Sequence, residues 1–155
     1  MRELVFKFEG FHINKRGLLF GILFILISLI ATGCGSESSE THAYQLAPLE
    51  DMHPYVQNSP DTVQQAYQFA HAHPEMLKAV PCYCGCGGMG HTSNYSCYIN
   101  ETNGEKAFDG HALGCSICVD ITQDVMWLMD TGRPINEIQE FIDKKYSAFG
   151  PSNIP

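Results

Sequence analysis

Apolar residues are distributed unevenly along the chain, and three patterns follow one another. The first region holds GLLFGILFILISLIAT, a nearly continuous apolar run after Lys15 and Arg16. The stretch after Cys34 is polar and has no sustained period. Beyond residue 58 apolar residues recur at helical spacing, which predicts packed structure. The pattern therefore predicts a signal peptide in residues 1–33, a flexible tether in 34–58, a folded domain in 59–148 and a tail in 149–155.

The periodic region predicts two amphipathic helices. Ser59-Pro60-Asp61 is typical of a helix start. After it, one helical face collects Val63, Ala66, Tyr67 and Ala70. A short helical turn is expected over residues 74–79. Pro134 opens the last helix, whose apolar positions keep the same period: Ile135, Ile138, Phe141 and Ile142.

Between these helices the pattern predicts a hairpin and a third long helix. Asn103-Gly104 is a strong signal for a two-residue turn, so a small hairpin is expected between Cys97 and Phe108. Asp109 can cap a helix that runs to residue 130, before Gly132. The predicted fold is a small, mainly α single domain of about three to four helices, with one short β-hairpin and a Cys-rich loop.

The end of the apolar run indicates the compartment. Ala31-Thr32-Gly33-Cys34 is typical of a lipobox, where a bacterial lipoprotein is cleaved and its new N-terminal cysteine is acylated. Cys34 is therefore the predicted lipidation site, and two lipid chains would anchor the protein to the outer face of a membrane. An uncleaved anchor is the alternative, but the run is at the short edge of what spans a bilayer. We expect an extracytoplasmic protein held by membrane lipid.

The predicted mature chain is strongly acidic. Of nine basic and seventeen acidic residues, four and two lie in residues 1–33, which leaves five and fifteen and a net charge of −10. Five basic residues scattered along the chain do not form the basic patch that binding of nucleic acid requires. An acidic surface attracts cations, although its commonest role is solubility.

Six cysteines follow Cys34, and they form two groups. The stretch PCYCGCGGMGH, Pro81 to His91, places three on alternate positions, so that in an extended chain their sulfurs lie side by side. The predicted helix after Asp109 carries a histidine and two cysteines at i, i+4 and i+7, on one face. Thiolate and imidazole select Cu(I) or Zn(II) over hard ions. The predicted ligands are Cys82, Cys84, Cys97, His111, Cys115 and Cys118, with Cys86 and His91 in second rank.

These motifs resemble a known family. PCYCGCG, then His91 and Cys97, and then HALGCSICVDI at residues 111–121 closely resemble the bacterial lipoproteins named for a PCYCGC motif. The resemblance covers about residues 60–146, and Cys34 is consistent with the lipidation that is typical of the family. The molecular function of that family is not established, so the resemblance implies no mechanism.

Three functions stay open at this point. The first is capture, storage or transfer of a soft metal, copper as Cu(I) before zinc, with a metal-delivering or metal-accepting protein as partner. The second is a disulfide-stapled interaction domain without a cofactor, because six cysteines in a small exported domain are often paired. The third is thiol-disulfide exchange at Cys115-Ser116-Ile117-Cys118, although that motif normally lies at the first turn of a helix after a strand. No pattern of catalytic residues stands out, which favours a non-enzymatic protein.

Overall fold

The structure is a computed structural model, and it describes residues 42–155. The predicted signal peptide, the lipobox and Cys34 lie outside the described residues. Within the described part of the chain, no helix has the length and apolar character needed to cross a membrane.

Five α-helices and one hairpin make up the regular structure of residues 42–155. Helices α1 (Pro54–Gln57), α2 (Asp61–Ala72) and α3 (Pro74–Lys78) precede the cysteine-rich loop. Strands β1 (Ile99–Thr102) and β2 (Glu105–Phe108) follow it, and helices α4 (Ser116–Asp130) and α5 (Ile135–Tyr146) complete the domain. Short 3-10 turns lie at Leu49–Asp51, Cys86–Met89, Tyr95–Cys97 and His111–Leu113. The prediction of a small, mainly α domain with one hairpin is confirmed.

Helices α2, α4 and α5 build the core. Helix α4 packs against α2 and α5, because most of its apolar residues between Cys118 and Leu128 are buried. Trp127 is the exception, with 56% of its surface exposed. The rings of Tyr67 and Tyr98 meet edge to face, with centroids 4.9 Å apart. Burying a large apolar side chain contributes about 1.5–3 kcal/mol. This packing therefore fixes the first turn of α4 relative to the loops that precede it.

The hairpin forms as its turn signal predicts. Its strands are antiparallel, with Ile99 opposite Phe108. Asn103 and Gly104 both have positive φ, 53° and 83°, as a tight two-residue turn between twisted strands requires. At the base of the hairpin, the Asp109 amide donates to the Tyr98 carbonyl at 2.9 Å. The hairpin thus returns the chain to the side of the domain where the cysteines lie.

The predicted tether is part of the fold from residue 42 onward. Residues 42–58 form the turn Leu49–Asp51 and helix α1, and they bury Met52 and Val56 in the core. The prediction of a flexible tether is wrong for residues 42–58. Two buried apolar side chains, Met52 and Val56, attach this segment to the core although its sequence has no helical or strand periodicity.

The helix expected from Asp109 begins only at Ser116. Residues His111–Leu113 form a separate 3-10 turn, and Cys115 is extended (φ −121°, ψ 99°) at the N-cap of α4. The Asp109 side chain does not cap α4 but contacts the earlier turn, since its Oδ1 accepts a hydrogen bond from the His111 amide at 2.8 Å. The predicted spacing of His111, Cys115 and Cys118 along one helix is therefore wrong, although all three still lie close together, as described below.

Candidate metal centre

The PCYCGC loop brings its sulfurs together in two steps. The chain around Cys82 and Cys84 follows no helix, and their Sγ atoms lie 3.4 Å apart. Gly85 then adopts a φ of 83°, in the left-handed region that glycine enters without strain, and a 3-10 turn begins at Cys86. This reversal carries the Cys86 sulfur to 3.7 Å from that of Cys97. The three loop sulfurs therefore do not line one strand face as an extended chain would require.

Helix α4 and the turn before it supply the other half of the cluster. The Sγ atom of Cys118, in the first turn of α4, lies 3.4 Å from that of Cys82 and 3.6 Å from that of Cys84. On the other side of Cys84, its Sγ lies 3.4 Å from Nε2 of His111. Cysteines some thirty residues apart in sequence thus meet in the fold.

Three overlapping sets of four residues could each hold a metal ion. Within each set the ligand atoms all lie within 4.8 Å of one another. Four thiolates around one zinc ion, each at about 2.3 Å, would be about 3.8 Å apart, which is close to the contacts of 3.4–3.7 Å described above. The residues present therefore fit a soft metal ion. The sets are Cys82, Cys84, Cys97 and Cys118; Cys84, His111, Cys115 and Cys118; and Cys84, Cys86, Cys97 and His111.

All six cysteines of residues 42–155 are free thiols. The closest Sγ atoms are 3.4 Å apart, whereas a disulfide bond is about 2.05 Å long. The described part of the chain therefore holds no disulfide framework in this structure.

The buried thiols share protons rather than ionise independently. The pKa of Cys82 is lowered because the thiols of Cys118 and Cys97 donate hydrogen bonds to its thiolate. The pKa of Cys118 is raised because it is a donor to Cys82, and burial raises the pKa of Cys84. Hydrogen bonding thus favours the thiolate form of Cys82 and the thiol form of Cys118, and a bound cation would take the place of thiol protons.

His91 lies beside the cluster but in none of the three ligand sets. Its Nε2 is 3.3 Å from Oδ2 of Asp109, and its ring meets the ring of His111 edge to face at 5.2 Å between centroids. Its Nδ1 is buried without a hydrogen-bond partner among the described residues. A role for His91 as a ligand stays a prediction.

Buried polar side chains hold Cys118 in place. The Tyr98 hydroxyl donates to the Cys118 carbonyl at 2.8 Å, and the Asn94 side-chain amide reaches the same oxygen at 3.3 Å. The Thr122 hydroxyl donates in turn to the Asn94 side-chain oxygen at 2.9 Å. Because buried polar groups are costly when unpaired, this network fixes the first turn of α4 against the cysteine loop.

Asn153, in the predicted tail, is a contact that sequence reasoning missed. Its side-chain Oδ1 accepts a hydrogen bond from the Cys82 backbone amide at 2.7 Å, and its backbone amide donates to the Cys82 carbonyl at 3.2 Å. Its Nδ2 donates to the Ser93 carbonyl at 3.1 Å and contacts the Cys86 sulfur at 3.4 Å. These contacts join positions up to 71 residues apart, so no local pattern signals them. Asn153, near the end of the chain, thus holds the PCYCGC loop in place through hydrogen bonds.

A family model described as a protein of unknown function with a PCYCGC motif matches residues 23–153. The match covers most of the chain and the whole cysteine cluster. No curated protein and no solved structure matches the chain.

Proposed function

The chain belongs to the family of proteins of unknown function with a PCYCGC motif, and we propose that it is a non-enzymatic protein that binds soft metal ions through its Cys/His cluster. Cu(I) is the favoured ion and zinc the second. The protein captures, stores or transfers the ion.

One observation carries this proposal: six free thiols and an imidazole converge from three separate segments. Soft cations are the ions that thiolates select, and several sulfurs within one ion's reach form a donor set for such a cation. The donors also exceed the four that one structural zinc site uses. Copper(I) makes fuller use of a sulfur-rich cluster, which supports its place before zinc.

The proposed location follows from the sequence. Acylation of Cys34 would anchor the protein outside the cell membrane. The net charge of the predicted mature chain raises the local concentration of cations near it. A membrane-bound protein in this position would receive the ion from one protein or deliver it to another.

Thiol-disulfide exchange is a second candidate, and the start of α4 favours it. The sequence pattern placed Cys115 inside a helix, whereas the structure places it at the N-cap with Cys118 in the first turn. Reactive Cys-x-x-Cys pairs occupy such helix starts. In the structure a 3-10 turn, and not a strand, precedes this pair. Thiol-disulfide exchange is therefore the second candidate and not the first. Reduction of insulin by the purified protein would support this candidate, and inertness would remove it.

Metal content tests the proposal. The full-length chain, purified without oxygen in detergent, is expected to bind Cu(I) or zinc, and the bound ion should protect its thiols from alkylation. Cys84 belongs to all three ligand sets, so Cys84→Ser should lower the affinity of every set. Cys34→Ser is the matched control: it should remove the lipid and leave the metal content unchanged. Equal metal binding by the parent and Cys84→Ser would refute the proposal.

A further inference from the structure

The ligand sets overlap in a way that suggests more than one ion. We call Cys82, Cys84, Cys97 and Cys118 the inner set, and Cys84, His111, Cys115 and Cys118 the outer set. The two sets use six residues between them and have two in common, Cys84 and Cys118.

The shared residues are the two that chemistry allows two ions to share. A thiolate sulfur keeps further lone pairs after it binds one soft ion, so it can bind a second soft ion at the same time. The Sγ atoms of Cys84 and Cys118 are 3.6 Å apart, so they form an edge common to both sets. If the cluster binds soft metal as proposed above, we infer that it holds two ions, bridged by the thiolates of Cys84 and Cys118.

The third set cannot be filled together with the outer set. Both need His111, and its Nε2 is the ring atom that faces Cys84, at 3.4 Å. A single imidazole nitrogen binds one ion. Two ions are therefore the largest number that complete sets of four can hold.

The outer set is the better partner for the inner one. Cys115 and Cys118 lie at the N-terminus of α4, a helix of 15 residues, and the positive end of its dipole stabilises thiolates. The third set would instead use Cys86, which lies in a 3-10 turn of four residues and not at the start of a long helix. Cys86 then supports the cluster without binding the second ion.

The two positions differ in access, because the residues that the two sets do not share differ in exposure. Cys82 and Cys97, which only the inner set uses, are fully buried, with 0% of their surface exposed. His111 and Cys115, which only the outer set uses, are half-buried. A partner protein or a chelator can reach the outer ion first, so the outer ion is the one that exchanges and the inner ion is the one that is retained.

Cadmium is a suitable probe, because it prefers thiolates and the isotope 113Cd gives an NMR signal. The full-length chain, reduced and loaded with 113Cd(II), should bind two ions and show two resonances that are split by coupling through shared sulfur. Cys115→Ser should reduce the ratio from two ions to one, and serine is itself a good N-cap, so α4 should still form. His111→Gln should have the same effect. Cys86→Ser distinguishes the outer set from the third set and should keep two ions. Cys34→Ser, at a position outside all three ligand sets, is the matched control and should also keep two ions.

Each outcome decides between the possibilities. A parent protein that binds one ion, or two ions without mutual coupling, would overturn the bridged pair while leaving the proposed metal binding intact. Loss of the second ion in Cys86→Ser but not in Cys115→Ser would overturn the outer set. Loss of one ion within seconds to EDTA, with slow loss of the other, supports the difference in access, and equal rates would overturn it. Absence of any bound ion would refute the proposed function itself.

Discussion

Removing the side chain of Asn153 should destabilise the domain although the residue lies near the end of the chain. Asn153→Ala removes the acceptor of the Cys82 amide, at 2.7 Å, and the donor to the Ser93 carbonyl, at 3.1 Å. A hydrogen bond in a protein contributes about 1 kcal/mol, and a buried group left without a partner costs about 1–3 kcal/mol. Water that enters when the tail opens can hydrogen-bond some of the groups left without a partner, which reduces their cost. We therefore expect the free energy of unfolding to fall by about 2–4 kcal/mol.

Urea denaturation of the reduced, metal-free protein, followed by circular dichroism, measures this change. With a slope of about 2 kcal/mol per M for a small domain in urea, the midpoint should fall by roughly 1–2 M. Asn136→Ala is the control, because Asn136 is exposed on α5 and such changes stay within about 0.5 kcal/mol. If Asn153→Ala unfolds at the same urea concentration as the parent, the chain end does not fasten the cysteine loop and the reasoning is wrong.

Three further predictions follow from the same geometry. Tyr98→Phe removes a fully buried hydroxyl that donates to a carbonyl of α4 at 2.8 Å, so the free energy of unfolding, measured by urea denaturation, should fall by about 1–2 kcal/mol. Tyr55→Phe is the control, because Tyr55 is exposed, and it should leave this free energy unchanged. Equal effects of the two substitutions would contradict the account. Gly150→Ala would place a Cβ atom 2.7 Å from the Tyr83 carbonyl oxygen, so it should lower the thermal midpoint, whereas Gly114→Ala meets no atom within 4 Å and should leave that midpoint nearly unchanged. Metal affinity, measured by competition with a chelator of known affinity, should weaken as the pH falls from 8 to 6, because thiols release protons when they bind a metal; an affinity independent of pH would argue against thiolate ligands.

The sequence predicted those parts of the fold that depend on local patterns. Helices α2 and α5 follow from apolar residues at helical spacing. The hairpin follows from Asn103-Gly104, because few other residue pairs adopt positive φ twice in succession. The convergence of the two cysteine groups was also predicted, since residues of both groups were named as metal ligands.

The errors lie where tertiary contacts outweigh local preference. The apolar and helix-forming residues after Asp109 suggested one continuous helix, but Cys115 adopts an extended conformation and α4 starts after it. Residues 42–58 and Asn153 owe their positions to contacts with distant segments, such as the packing of Val56 and the hydrogen bonds to Cys82. Neither contact leaves a periodic trace in the sequence.

Non-denaturing mass spectrometry of the full-length protein, isolated without oxygen and kept unreduced, tests the central claim most directly. The proposal predicts a mass that exceeds the mature, lipidated chain by bound copper or zinc, and all six thiols of the cluster should become available to alkylation once the metal is removed by acid. A protein without metal that is six mass units lighter than the reduced chain would contradict the claim, because its cysteines would then be joined in three disulfide bonds.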